Sequence, residues 1–233
     1  MACCSEVPTA PLPDAPIEAA DGRRLRLGSH VHKIDTLMGT LTQSWAIPCP
    51  CIQVYLGGNT NYSVPGFRDK DQAIDYCAAH NKTIYFHAPV IINLCSDKQD
   101  VVEKGISCIQ KELNVMEGLP GAVVMHCGRI GTEEQIAESI GKLEIKQTLL
   151  RRSLLLENGA GQGGKKKGST GPSEKGSTWD SQRKLCEALD HGNRIGFCGD
   201  TQHLFAAGMC DFDSHESVVK LYDQVEEIGR AHV

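Results

Sequence analysis

LLLENGAGQG, from Leu154 to Gly163, sets one carboxylate, Glu157, at the end of an apolar run that a glycine-rich turn then closes. RIGFCGDTQHLFAAG, from Arg194 to Gly208, repeats the arrangement with Asp200 and adds His203 three residues on. Upstream, TIYFH ends on His87 and GAVVMH ends on His126. Each of these side chains stands at or just past the end of a hydrophobic strand. When strands alternate with helices, all strands run the same way, and residues at their carboxyl ends meet on one face of the sheet. The spacing predicts an α/β fold whose strand ends assemble one site from His87, His126, Glu157, Asp200 and His203.

Those residue types point to a metal. Imidazole and carboxylate suit a borderline ion such as zinc, with manganese or iron as alternatives. A single histidine at a strand end is more often a structural imidazole held by hydrogen bonds. Five ligand-type groups at four successive strand ends favour the metal, because a buried carboxylate with no partner is costly.

The 233 residues are 40% hydrophobic, enough for one sizeable core, and no run of eighteen apolar residues could span a membrane. The eleven cysteines are odd in number, lack CxxC pairs, and include Cys108, Cys127 and Cys198 within apolar segments. They imply free thiols in a reducing, intracellular compartment, cytoplasm or nucleus. With no cleavable leader at the start, the sequons at Asn61 and Asn81 are expected to stay unmodified. A net charge of −5 argues against a protein that coats nucleic acid but leaves room for a site-specific nuclease using local cations. Candidates are Lys142, Lys146, Arg151, Arg152 and the run Lys165 to Lys167.

Residues 1–22, rich in Pro and Ala without periodicity, read as a disordered tail. Strands are expected at 25–31, 51–56, 83–87, 121–126, 152–157 and 194–199. Helices are expected at 34–45, 69–80, 99–117, 133–150, 179–190 and from Ser214 to Ile228. Residues 158–178, with KKKGST and EKGST, read as a flexible insertion. Residues 23–229 then form one domain of about six βα units, short of the eight that close a barrel, and 230–233 a disordered end.

GSHV (Gly28 to Val31), FHAPVIINL (Phe86 to Leu94), MHCG (Met125 to Gly128), LENGAGQG and GDTQHLFAAG occur in the order and spacing of the strand-end motifs of the endonuclease IV family of apurinic/apyrimidinic endonucleases. The chain resembles that family from Leu27 to Ile228. The resemblance implies a TIM-type (β/α)8 barrel of the xylose isomerase-like kind, here incomplete, with up to three zinc ions. The implied activity is cleavage of double-stranded DNA 5′ to an abasic site, leaving a 3′ hydroxyl, by a monomer. Carried across, His87 and His126 hold a first zinc with Glu157, Glu157 bridges to a second that Asp200 also binds, and His203 binds a third. A hydroxide held between the first two ions is then the nucleophile. One or two ions, or manganese, are expected on this chain. His30 and His32 are read as structural or supporting.

The sequence also departs from the family pattern. The loop after the second strand lacks the family's arginine, carrying Gly57, Gly58, Asn59, Thr60 and Asn61, and Val90 with Ile91 stands where the family often has tyrosine. Asn59, Thr60, Val90 and Ile91 are the expected DNA contacts, Ile91 as an apolar wedge. The family continues into two more strands bearing further ligands, whereas this chain stops at GRAHV, so a C-terminally truncated form is expected and His232 falls in its disordered end. Two alternatives follow: a divalent-metal sugar isomerase or epimerase on a related barrel, and an inactive DNA-binding remnant.

Overall fold

A computed structural model describes residues 17–18, 24–25, 28–44, 50–146, 152–161, 174–189 and 194–227. A two-stranded antiparallel ribbon, β1 (Ile17–Glu18) and β2 (Arg24–Leu25), precedes a parallel sheet. The sheet holds β3 (Gly28–His30), β4 (Cys51–Val54), β5 (Thr83–His87), β6 (Gly121–His126), β7 (Leu154–Glu157) and β8 (Ile195–Cys198). Its six strands neighbour one another in sequence order, every pair parallel. That order, with a helix between successive strands, is an open arc of a (β/α) barrel: the parallel α/β sheet that the strand-end spacing predicts, in the incomplete barrel form that the resemblance implies.

Helices α1 (Leu37–Ser44), α2 (Lys70–Ala79), α3 (Gln99–Met116), α4 (Glu133–Ile140) and α5 (Trp179–Ala188) link the strands, and α6 (Thr201–Ala206) and α7 (His215–Glu227) follow β8. Side chains alternate between the faces of each strand. Ile84, Phe86, Val123, Met125, Leu154, Leu156 and Ile195 belong to the main core, together with helix residues such as Leu41, Ile109 and Leu185. Ala122, Val124 and Leu155, with Tyr85 and Cys198, form a separate, smaller cluster. By the same alternation His87, His126 and Glu157 share the face of Tyr85, Val124 and Leu155, at the carboxyl end of the arc.

β5 and β6 keep their expected limits, and the other strands shorten by a few residues. α4 is the main correction. The expected span is 133–150, but the helix ends at Ile140, where Gly141 caps it and the buried Leu143 and Ile145 turn inward two residues apart, a spacing no helix face can satisfy. Its start is as strong as its end is abrupt: Thr132 and Gln135 form a reciprocal capping box. Ile17 and Glu18 lie within the expected tail yet pair with Leu25 and Arg24. The rest of that tail, at 1–16 and 19–22, the middle of the expected insertion at 162–173 and the end at 230–233 lie outside the described residues.

Eight cysteines among the described residues are free thiols, six of them buried, and burial pushes the thiols of Cys77 and Cys108 up to about 11 and about 12. No helix among the described residues is long and apolar enough to cross a membrane.

Candidate metal centre

Glu157 is the hub. Register pairs it with His126 across β6 and β7, and with Cys198 across β7 and β8. Its Oε2 lies 3.0 Å from His87 Nε2 and 3.6 Å from His126 Nε2, and its Oε1 lies 3.5 Å from His203 Nδ1. The imidazole rings stand in a row, His87 to His126 and His126 to His203 each 5.3 Å between centroids. Burial alone would raise the Glu157 carboxyl, but the His87 hydrogen bond and the charges of His126, His87 and His203 outweigh it and hold the group below its ordinary value. His126 is pushed down chiefly by burial, with Glu157 opposing and His87, His203 and Arg129 adding to the depression, so its neutral, ligating form is favoured.

His87 shows how the donors are aimed. Its Nδ1 lies 2.7 Å from the Ala88 carbonyl, which can only accept, so Nδ1 carries the proton. Nε2 stands 3.0 Å from a Glu157 carboxylate oxygen, donating to it when the ring carries a second proton and offering it a lone pair when the ring is neutral. In the neutral form the imidazole nitrogen and the carboxylate oxygen face one another as lone-pair donors, an arrangement that suits a cation both can bind, and the donor set fits a divalent metal on that ground. Two groups of ligand atoms, each within 4.8 Å of one another, occur among the described residues: His87, His126 and Glu157, and Glu157, Asp200 and His203. All five residues expected from the sequence are thus brought together, and Glu157 belongs to both groups. His203, expected at a third ion, lies in the group with Glu157 and Asp200.

The second group is braced by Asn158, which is fully buried. Its Oδ1 accepts the Asp200 N–H at 2.7 Å, its Nδ2 donates to the Asp200 carbonyl at 3.4 Å, and its own carbonyl accepts from His203 Nδ1 at 3.0 Å. Asp200 in turn caps α6, its Oδ1 accepting the His203 N–H at 2.8 Å. Sequence reasoning took Asp200 and His203 as ligands and missed both the helix they start and the asparagine that holds them. An Asp followed by a helical turn was the available signal.

Tyr55, also missed, follows β4 and packs its ring 4.8 Å from His87 and 4.9 Å from His30, and His30 itself lies 6.3 Å from the His87 ring. Burial, then the nearby Glu157 charge, raises the Tyr55 phenol above its ordinary value. The expected cations among the described residues do not gather here. Lys142 and Lys146 pair with Glu138 and Glu117, and Arg152 is buried at the opposite end of the sheet, before β7, donating to the Ile195 carbonyl. Arg151 and Lys165 to Lys167 lie outside the described residues. Arg129, three residues past His126, is an exposed cation on the correct side. Asn59, Thr60, Val90 and Ile91 stand on the loops after β4 and β5, tied by the Val90 N–H donating to the Asn59 carbonyl at 2.9 Å.

The sequence profile of the family described as xylose isomerase-like TIM barrel matches residues 46–232. "Probable endonuclease 4" of Staphylococcus carnosus is 27% identical over 220 residues, covering 89% of this chain and 71% of its own. "Probable endonuclease 4" of Streptomyces avermitilis is 29% identical over 211 residues, covering 84% and 64%. The chain spans only 52% of the corresponding protein of Akkermansia muciniphila. Among solved structures, endonuclease IV from Thermus thermophilus superposes with a TM-score of 0.68 at 20% identity, over 88% of this chain and 74% of that one. On the profile match and the sequential parallel arc together, this chain belongs to the family of xylose isomerase-like TIM barrels that includes the endonuclease IV proteins.

Proposed function

We propose that this chain is a metal-dependent DNA repair endonuclease that hydrolyses the phosphodiester 5′ to an abasic site in double-stranded DNA and leaves a 3′ hydroxyl. The observation that carries this is the sharing of Glu157 between two ligand groups. A carboxylate common to two groups suits a pair of ions set close enough to clamp one phosphate. His87 and His126 would hold one ion with Glu157, and Asp200 and His203 the other; zinc fits these donors, and manganese is the alternative. Such ions supply Lewis-acid polarisation of a phosphoryl oxygen and a water acidic enough to ionise near neutral pH. The chain's own residues do the rest. Ala88 and Asn158 fix two of the imidazoles by backbone hydrogen bonds, and the buried walls strengthen every charge interaction inside. Arg129 offers a cation to the DNA backbone at the rim.

Recognition of the missing base would fall to Asn59, Thr60, Val90 and Ile91, with Val90 43% exposed. Two more exposed apolar side chains follow strands at the same end, Ile130 after β6 and Phe205 after β8, and apolar wedges of this kind enter a gap in a base stack.

The test is incision of a labelled duplex carrying one tetrahydrofuran abasic analogue, which lacks the aldehyde that lyase chemistry needs. A cut leaving a 3′ hydroxyl, lost on chelation and regained with zinc, is expected. Turnover of a free sugar without incision would favour the isomerase or epimerase reading. Neither activity in a chain that folds would favour the DNA-binding remnant.

A further inference from the structure

Two buried polar atoms beside the centre have no hydrogen-bond partner among the described residues, His126 Nδ1 and Glu174 Oε2. They belong to neighbouring groups: His126 Nδ1 lies 4.0 Å from Glu174 Oε1, on the side of the ring away from Glu157. Glu174 is 6% exposed. We propose that Glu174 is a positioning residue for His126, accepting its Nδ1 proton and so aiming Nε2 into the centre.

The comparison with His87 makes the argument. Both imidazoles turn Nε2 toward Glu157 Oε2. The Nδ1 of His87 is held by the Ala88 carbonyl at 2.7 Å, whereas that of His126 faces the Glu174 carboxylate and has no other partner among the described residues. A histidine that ligates through one nitrogen needs the other engaged, or its tautomer and ring angle are left free. A carboxylate does this more strongly than a carbonyl because the bond is charge-assisted. The present 4.0 Å is beyond hydrogen-bond length, and an approach of the two groups by roughly 1 Å closes it.

The backbone is built to hold Glu174 there. Residue 174 bridges Arg129 in an isolated antiparallel pair, the Lys175 N–H donates to the Gly128 carbonyl at 2.9 Å, and Ser177 Oγ donates to the Glu174 carbonyl at 2.7 Å. Lys175 pairs with Glu133 at 3.5 Å. Gly159, in the turn after Glu157, leaves the space: a Cβ there would stand 2.6 Å from Glu174 Cγ and 2.9 Å from the Lys175 carbonyl oxygen. The return limb of the segment expected as a flexible insertion is therefore pinned against the ligand strand, and the glycine of ENGAG has a steric reason to be glycine.

The inference rests on the metal reading, and its test has one arm that does not. In metal-free protein, side-chain 15N spectra of His126 should show the proton shifting from Nδ1 toward Nε2 on Glu174→Ala, and less so on Glu174→Gln, whose amide oxygen still accepts. In a competition titration with a chromophoric chelator, Glu174→Ala should weaken zinc binding by roughly 10–100-fold, as for removal of other supporting partners of metal-bound histidine, with Glu174→Gln between it and the parent. Circular dichroism of both variants checks the fold, and the near-isosteric Glu174→Gln covers the case in which Glu174→Ala does not fold. A His126 tautomer unchanged in the folded variants overturns the proposal, as does unchanged zinc affinity. A parent chain that binds no zinc while the tautomer shifts overturns the metal reading and leaves the positioning role standing.

Discussion

His87 Nε2 lies 3.0 Å from Glu157 Oε2 while the Ala88 carbonyl holds a proton on the opposite ring nitrogen. In the proposed centre this pair faces one ion, and Glu157 is the member both ligand groups share. Replacing Glu157 with Ala should abolish both ions together and lower incision by more than the roughly 100-fold typical of losing a supporting residue. Inductively coupled plasma analysis beside the incision assay checks this; loss of one ion alone would show that the two groups do not share the carboxylate.

Asp200 carries two roles that a single substitution separates. Asparagine caps helices as well as aspartate does, so Asp200→Asn should keep α6 and leave the unfolding midpoint nearly unchanged. The anionic ligand is lost, and bound zinc should fall from two ions to one. Unchanged stoichiometry would remove Asp200 from the ligand set.

Asn158 is the brace between β7 and β8. Asn158→Ala leaves the Asp200 N–H without its acceptor in a buried setting and should cost about 1–3 kcal/mol of stability. Urea unfolding in the absence of metal gives the number, and a change within error would mean that water takes over the bond.

Much of this was legible in the sequence because strand ends carry a period-two signal and a directional rule. TIYFH and GAVVMH announce both the strand and the face of the histidine that ends it, and five residues from four strand ends were placed together without coordinates. What stayed hidden depends on contacts between segments distant in sequence. Glu174 looked like part of a low-complexity loop, and only the pairing of its backbone with Arg129 brings it to His126. Tyr55 was an ordinary strand residue until its ring met His87. Arg152 illustrates the reverse error: a cation near a ligand in sequence stands at the far end of the same strand in space.

Glu112 gives a pH signature away from the site. It is fully buried in α3 with neither carboxyl oxygen hydrogen-bonded, and burial pushes it from an ordinary 4.5 up to about 8. The unfolded chain ionises near 4.5 and the folded chain near 8, so the unfolded state is favoured progressively as pH rises between those values. Stability is full below about 4.5. The loss by pH 8 is bounded at about 5 kcal/mol, from ~1.36 kcal/mol per pH unit of separation. Glu112→Gln should flatten that slope in denaturant unfolding at about pH 5 and about pH 8, and an unchanged slope would assign it to other groups.

The most direct measurement is an anomalous difference map at the zinc edge from crystals of the zinc-loaded chain. Two peaks are predicted, each about 2.0–2.2 Å from a Glu157 oxygen, one beside His87 and His126 and one beside Asp200 and His203. No peak at Glu157, or zinc bound only at thiols elsewhere in the chain, would contradict the account.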